Sequence, residues 1–112
     1  MDIMIKEYAI RYIAICLHGR VDASTISPLR AQVDQLLNEG VHFFVLDLSE
    51  VTFLDSTGLA LLIYLLKRSQ QVGGDVKMVF PIDEATRRLL QLTRFDRVFE
   101  VVESVDLALS SF

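Results

Sequence analysis

Apolar residues recur at every second position in the first part of the chain, within residues 3–8 and 11–18. A period of two is typical of β-strands that bury one face. The pattern therefore predicts two short strands. Only Ala9 and Ile10 separate them, so we expect the two strands to form a hairpin.

Helical spacing replaces this alternation between Ser27 and Gly40. Apolar residues recur there three and four positions apart, which predicts an amphipathic helix that Ser27 caps and Gly40 ends. The run HFFVLDL at 42–48 is apolar on both faces and predicts a central strand covered on two sides. The residues that follow it, SEVTFLD at 49–55, are predicted to form a loop.

The remaining chain alternates between helix and strand patterns. Gly73 and Gly74 predict the end of a second helix that begins near Ser56. The elements predicted after it are a strand at 75–80, a helix that starts at 81–84 and carries Ala85, Leu89 and Leu92 on one face, a strand at 98–102 and a small helix at 105–109. Two strands followed by βα units predict an α/β protein whose sheet begins antiparallel and continues largely parallel.

The second helix is apolar on more than one side. The stripe predicted to face the sheet consists of Leu59, Leu62, Ile63 and Leu66. A second stripe, which a neighbouring helix or a partner protein has to cover, consists of Leu61, Tyr64 and Leu65.

Length and charge narrow the class of protein. A chain of 112 residues is enough for one domain, which we expect to span 1–112. Its formal net charge of −4 argues against a nucleic-acid partner, because nucleic acids bind clustered positive charge. The longest apolar run, residues 59–66, is far shorter than the roughly 20 residues that cross a bilayer. The first residues, MDIMIKEY, do not resemble a signal peptide, so we expect a cytoplasmic protein without membrane association.

Residues that could support catalysis are sparse. Neither His18, which has the single Cys16 two residues before it, nor His42 has a second histidine near it or belongs to a metal-ligand motif, so no metal site is indicated. The Gly73-Gly74 pair precedes a strand, whereas phosphate-binding glycine motifs follow a strand and open a helix. A hydrolase would need Ser56 close to a base, for which His18 is the candidate. We expect neither enzymatic activity nor a cofactor.

The sequence DSTG at 55–58 marks the predicted start of the second helix. Asp, Ser and Thr are preferred N-cap residues, so capping alone accounts for their types. Capping does not account for three such residues in a row or for Gly58. A helical glycine costs up to about 1 kcal/mol relative to alanine, so Gly58 indicates that a neighbour approaches the helix closely.

The segment VLDLSEVTFLDSTGLALLIYLLKRSQQVGGDVKMV at 45–79 resembles the core signature of STAS domains, and specifically that of bacterial anti-sigma factor antagonists. The resemblance begins with GRVD at 19–22 and continues to LLQLTRFDRVFEVVES at 89–104. It implies a small mixed β-sheet of four to five strands with helices mainly on one face. This fold agrees with the order of elements predicted from the hydrophobic pattern.

The resemblance also implies a phosphorylation site. Ser56 corresponds to the serine that a cognate anti-sigma factor, itself a serine kinase, phosphorylates, and Thr57 is a candidate second acceptor. ATP and magnesium belong to the kinase, and a serine phosphatase resets the protein. Asp22 corresponds to an acid in the loop that faces this serine. The partner-binding residues implied by the resemblance are Asp22, Asp55, Ser56, Thr57, Gly58 and Leu61.

Charge and position predict how such a switch works. A phosphate adds about −1.5 to −2 charge at a helix N-terminus, where backbone N–H groups and the macrodipole favour an anion. The same charge beside Asp55 and Asp22 repels a partner across a closely packed interface. A coupling of about 3 kcal/mol weakens binding roughly a hundredfold. The alternative is a STAS module that is not phosphorylated and acts as a scaffold or accessory subunit, for example of a lipid-transport complex.

Overall fold

The structure is a computed structural model, and it describes residues 1–8 and 12–112. Its strands are β1 (Asp2–Tyr8), β2 (Tyr12–Val21), β3 (Phe43–Leu54), β4 (Asp75–Val79) and β5 (Glu100–Val102). Its helices are α1 (Ile26–Asn38), α2 (Ser56–Gln71), α3 (Glu84–Leu92), α4 (Phe95–Val98) and α5 (Val105–Ser110). The predicted hairpin connection, Ala9 and Ile10, lies outside the described residues.

The five strands form one sheet in the order β1-β2-β3-β4-β5. β1 runs antiparallel to β2, and each of the other neighbouring pairs is parallel. Ile13, Ile15 and Leu17 are all buried on one side of β2, as their spacing predicted. The α/β fold with an antiparallel start is therefore confirmed.

The two faces of this sheet carry unequal layers. Helices α1 to α4 contribute to the main core on one face, where they meet the side chains of Ile15, Phe44 and Met78. The short helix α5 covers a smaller cluster on the other face, built around Ala14, Val45, Val79 and Ala108. The prediction that the helices lie mainly on one face is confirmed.

Strand β3 continues through residues 49–54, and the predicted loop is wrong there. Glu50 pairs with His18 and Leu54 pairs with Val21, whereas the pairing of β3 with β4 stops at Asp47. The apolar pattern is interrupted there by the polar residues Ser49, Glu50 and Thr52, so it did not predict a strand. We call residues 19–21 and 51–54 the β2–β3 extension, because these parts of the two strands pair only with each other among the described strands.

The first helix begins one residue earlier than its predicted cap. Thr25 occupies the N-cap position, and Ser27 lies inside the first turn of α1. The Thr25 hydroxyl makes no capping hydrogen bond. Instead it accepts a hydrogen bond from the N–H of Asp22 at 3.0 Å. The loop before α1, and not a serine cap, therefore sets where this helix starts.

Helix α2 buries a different stripe from the one predicted. Leu61, Leu62, Leu65 and Leu66 are at most 5% exposed, whereas Leu59 and Ile63 are only half-buried. A segment that is apolar on several sides fixes no rotation by itself, and packing against the sheet selected this one. Within residues 1–8 and 12–112, no helix is long and apolar enough to cross a membrane.

Two further predictions near the C-terminus need correction. The face of α3 predicted to be apolar, with Ala85, Leu89 and Leu92, is not the buried one. The helix packs Thr86 and Leu90 into the core instead, and Leu92 is 69% exposed. The predicted strand at 98–102 is shorter, because α4 ends at Val98 and β5 begins only at Glu100. The apolar pattern resembled a strand, but the one-turn helix buries Phe95 beside Phe99 with their ring centroids 5.7 Å apart.

Gly58 lies where α2 meets the end of β2. A Cβ atom at this position would stand 2.7 Å from the Val21 carbonyl oxygen and 3.1 Å from a methyl group of Leu54. The contact with the Val21 carbonyl oxygen is too short, and because that oxygen belongs to the backbone, rotating a side chain cannot relieve it. The neighbour that the sequence indicated is therefore the β2–β3 extension.

We expect Gly58→Ala to lower the free energy of unfolding by about 1–3 kcal/mol, since the overpacking exceeds the gain of about 1 kcal/mol in helix propensity. Ala60→Gly, at an exposed position of the same helix, is the matched control and should cost about 1 kcal/mol through propensity alone. Urea unfolding measures both. A more stable Gly58→Ala variant would contradict the close approach.

Candidate functional site

Two acids meet at the end of the β2–β3 extension. Val21 pairs with Leu54, and the N–H of Asp55 donates to the Val21 carbonyl at 3.4 Å. Asp22 and Asp55 therefore follow paired residues at the same edge of the sheet. This pairing brings the loop that precedes α1 next to the first turn of α2.

The Asp55 carboxylate joins these two segments. One of its oxygens accepts a hydrogen bond from the N–H of Gly58 at 3.0 Å and so caps α2. The other oxygen accepts from the N–H of Ala23, also at 3.0 Å. A single side chain thus caps the helix and holds the neighbouring loop against it, which is possible only because a carboxylate has two accepting oxygens.

Asp22 is the organising acid of its own loop. Its carboxylate accepts hydrogen bonds from the Ser24 hydroxyl at 2.7 Å and the Ser24 N–H at 3.0 Å, and from the Arg20 side chain at 3.1 Å. The Ser24 hydroxyl is the main cause that lowers the pKa of Asp22 below its usual value, and Arg20 adds to it. Only 8% of the residue is exposed. Asp22 therefore holds the conformation of the loop and contributes little of its accessible surface.

The two hydroxyl residues of the DSTG sequence differ in exposure. Ser56, the first residue of α2, is exposed, and Thr57 is half-buried. Both line a groove between α1 and α2 with a volume of about 750 Å³. The other residues that line this groove are Ile26, Ser27, Arg30, Ala31, Asp34, Ala60 and Leu61. Leu61 is 5% exposed, so it belongs to the core as well as to the groove.

A polar network closes the far end of the groove. The Tyr64 hydroxyl donates to Asp34 at 2.7 Å, and Arg68 donates to that hydroxyl at 2.6 Å. Arg30 donates to Asp34 at 3.2 Å, and its guanidinium lies 4.0 Å from the centre of the Tyr64 ring. The hydrogen bond from Tyr64 is the main cause that lowers the pKa of Asp34. These four residues link α1 to α2, and two of them, Arg30 and Asp34, line the same groove as Ser56.

Sequence reasoning missed this network. Arg30 and Asp34 are four residues apart, as are Tyr64 and Arg68, and such spacing places each pair on one helix face. This spacing could have predicted that each pair interacts within its own helix. It did not show that the two faces meet, because that depends on how α1 and α2 pack.

The structure does not bring His18 to Ser56. His18 lines a separate pocket between β1, β2 and β3, together with Cys16, Asp47 and Glu50. The groove that contains Ser56 has no histidine among its described lining residues. The pairing of base and nucleophile that a hydrolase requires is therefore not formed by these two residues. Among residues 1–8 and 12–112, no three His, Cys, Asp or Glu side chains are placed to hold a metal ion.

We expect Asp55→Ala to destabilise the fold by about 1–2 kcal/mol, because it removes a helix cap and a second hydrogen bond to backbone. The Ala23 N–H should also exchange faster with solvent. Asp83→Ala is the control, since Asp83 caps α3 through Thr86 and does not contact the loop before α1. Urea unfolding and amide hydrogen exchange measure the two effects. Equal exchange at Ala23 in both variants would contradict the joining role of Asp55.

The lowered pKa of Asp22 predicts a pH-dependent contribution to stability. Such a carboxylate stabilises the folded state at pH values above about 3.9, its usual pKa, and this contribution disappears as the pH falls through the lowered value. Asp22→Asn should therefore be less stable than the unsubstituted chain at pH 6, and the difference should shrink below about pH 4. Unfolding curves from pH 6 to pH 2.5 measure it, with Asp96→Asn as a control for the loss of one charge. A difference that stays constant with pH would contradict the role assigned to the carboxylate.

Comparison with known proteins gives consistent matches. The STAS domain family matches residues 7–108. A protein from Thermotoga neapolitana is 34% identical over 76 residues, which are 68% of this chain and 66% of that protein. The anti-sigma-B factor antagonist of Listeria monocytogenes is 28% identical over 102 residues, which are 90% of this chain and 88% of that protein.

A solved structure shares the fold along nearly the whole chain. The crystal structure of an anti-sigma factor antagonist from Mycobacterium paratuberculosis superimposes with a TM-score of 0.85 at 25% identity, covering 98% of this chain and 92% of that chain. The match of the family to residues 7–108 includes the β2–β3 extension, the DSTG sequence and both helices of the groove. As the resemblance in the sequence implied, the chain belongs to the STAS domain family.

Proposed function

We propose that this protein is an anti-sigma factor antagonist that binds a cognate anti-sigma factor through the loop at 22–25 and the first turns of α2. Relatives that match along most of the chain carry this function in their names. The surface that would bind includes Asp22, Asp55, Ser56, Thr57, Gly58 and Leu61. In this role the chain is a binding protein and a substrate of other enzymes, and it acts in the cytoplasm, where bacterial transcription takes place.

Several of these residues act by shaping the surface. Asp55 and Asp22 accept hydrogen bonds from neighbouring backbone N–H groups, Gly58 lies against β2, and Leu61 anchors α2 in the core. Ser56 and Thr57 remain as the side chains of the DSTG sequence that border the groove. The partner would therefore meet a rigid loop and helix end whose shape the two acids maintain.

We infer that Ser56 is the residue that the kinase partner phosphorylates. The observation that carries this proposal is the exposure of Ser56 at the first position of α2, beside an open groove. Thr57 is half-buried and is the poorer acceptor. In the reaction the γ-phosphoryl group of ATP moves to the Ser56 hydroxyl oxygen, the hydroxyl proton passes to a base of the kinase, and ADP leaves. A serine phosphatase hydrolyses the phosphate and restores the binding form.

The fold should tolerate this phosphate while the complex does not. The first N–H groups of α2 and its macrodipole favour an anion at position 56. In a complex, the same anion would be enclosed near the Asp22 and Asp55 carboxylates, where desolvation and like-charge repulsion oppose binding. If these effects amount to about 3 kcal/mol, the partner binds roughly a hundredfold more weakly.

We expect Ser56→Ala to bind the anti-sigma factor with and without ATP, because it cannot accept a phosphate. Ser56→Asp should bind at least tenfold more weakly, since its single charge reproduces part of the effect of the phosphate. Thr57→Ala is the control and should still lose its affinity when ATP is added. The partner is obtained by pull-down from native cytosol depleted of ATP, and titration calorimetry measures each affinity.

Two results would contradict parts of this proposal. Equal affinities of Ser56→Ala and Ser56→Asp, with and without ATP, would exclude the switch. If intact-mass measurement after incubation with the kinase and ATP shows no added phosphate, the chain acts instead as a non-phosphorylated STAS module. A phosphate found on Thr57 would show that the wrong hydroxyl was assigned.

A further inference from the structure

Arg30 is the only cationic residue among the described residues that line the groove containing Ser56. It lies on α1, across the groove from the first turn of α2. Its side chain is 51% exposed, so it can change its conformation without disturbing the core. A guanidinium binds a phosphate through two parallel hydrogen bonds, which makes arginine well suited to this ligand.

The present contacts of Arg30 are weak enough to be exchanged. Its ion pair with Asp34 joins two exposed side chains four residues apart on α1, at 3.2 Å, and such pairs contribute little to stability. Its guanidinium also lies 4.0 Å from the centre of the Tyr64 ring, and a cation–π contact at an exposed site is likewise weak. A phosphate dianion attracts the guanidinium more strongly than a single carboxylate does.

Asp34 would keep other partners if Arg30 turned away. The Tyr64 hydroxyl donates to the second oxygen of Asp34, and Arg68 supports that hydroxyl from the next turn of α2. Arg68 also supplies positive charge close to Asp34. Departure of Arg30 therefore leaves no isolated charge in the network.

We propose that Arg30 is the internal counter-ion of a phosphate on Ser56, and that it moves from Asp34 to this phosphate across the groove. This inference rests on the proposed phosphorylation of Ser56. The new pair joins α1 to α2 at the mouth of the groove and withdraws Arg30 from the surface offered to the partner. Phosphorylation thus removes a cation from the binding surface as well as adding an anion. An aspartate at position 56 has a shorter reach and one charge, and it reproduces this exchange poorly.

The test uses the full chain with phosphoserine installed at position 56 by genetic encoding, so that no kinase is needed. Phosphorus NMR follows the second ionisation of the phosphate, which occurs near pH 6 in an unperturbed phosphoserine. Arg30→Gln should raise this pKa by about half a unit, a threefold change in proton affinity, because a nearby cation favours the dianion. Arg30→Lys should give an intermediate value. The matched control is Arg88→Gln, an exposed arginine on α3 outside the groove.

A second measurement uses the unsubstituted chain. The Nε–H resonance of Arg30, assigned by its absence in Arg30→Gln, should shift when position 56 carries the phosphate. If the phosphate pKa is the same in Arg30→Gln and Arg88→Gln and this resonance does not move, Arg30 is not the counter-ion. These results do not depend on a kinase or a partner. Failure to find phosphorylation of Ser56 by the anti-sigma factor would therefore overturn the proposed function but not this property of the chain.

Discussion

The backbone contact between the end of β2 and the first turn of α2 is the constraint on which the site depends. Parallel pairing continues along β2 and β3 as far as Val21 and Leu54, beyond the point where β4 stops. The chain then turns directly into α2, whose first turn lies against the Val21 carbonyl. Only a residue without a side chain fits at position 58. The geometry of the loop, the helix end and the groove follows from this contact.

The polar residues around this contact have two different roles. The carboxylates of Asp22 and Asp55 are held by backbone N–H groups, and they make the loop and the helix end rigid. The hydroxyl of Ser56 stands at an exposed position on the same turn. A covalent change at this hydroxyl can therefore alter the charge of the surface while the hydrogen bonds that maintain its shape stay in place. This separation suits a protein that must keep its fold in both states.

The groove adds an electrostatic element that is distinct from the DSTG sequence. Its rim carries Arg30 and Asp34, and Tyr64 and Arg68 extend the network onto α2. Each contact is exposed or half-buried, so the network contributes little to stability and its members can exchange partners. Such a weakly held network can respond to an added phosphate. A fully buried network would resist the same change, because each unpaired charge would be costly there.

Local sequence determined the order of the elements and the chemistry of the candidate site. Alternation at Ile13, Ile15 and Leu17 was enough to identify β2, and the DSTG sequence marked both the start of α2 and the close neighbour at Gly58. Tertiary structure decided what local patterns leave open. It extended β3 through residues 49–54 because Glu50, Val51, Phe53 and Leu54 pair with β2. It determined which side of the apolar α2 faces the sheet. It also brought Arg30 to the groove beside Ser56. Periodicity depends on residues a few positions apart, whereas strand pairing, helix rotation and contacts across the groove depend on segments that meet only in the folded chain.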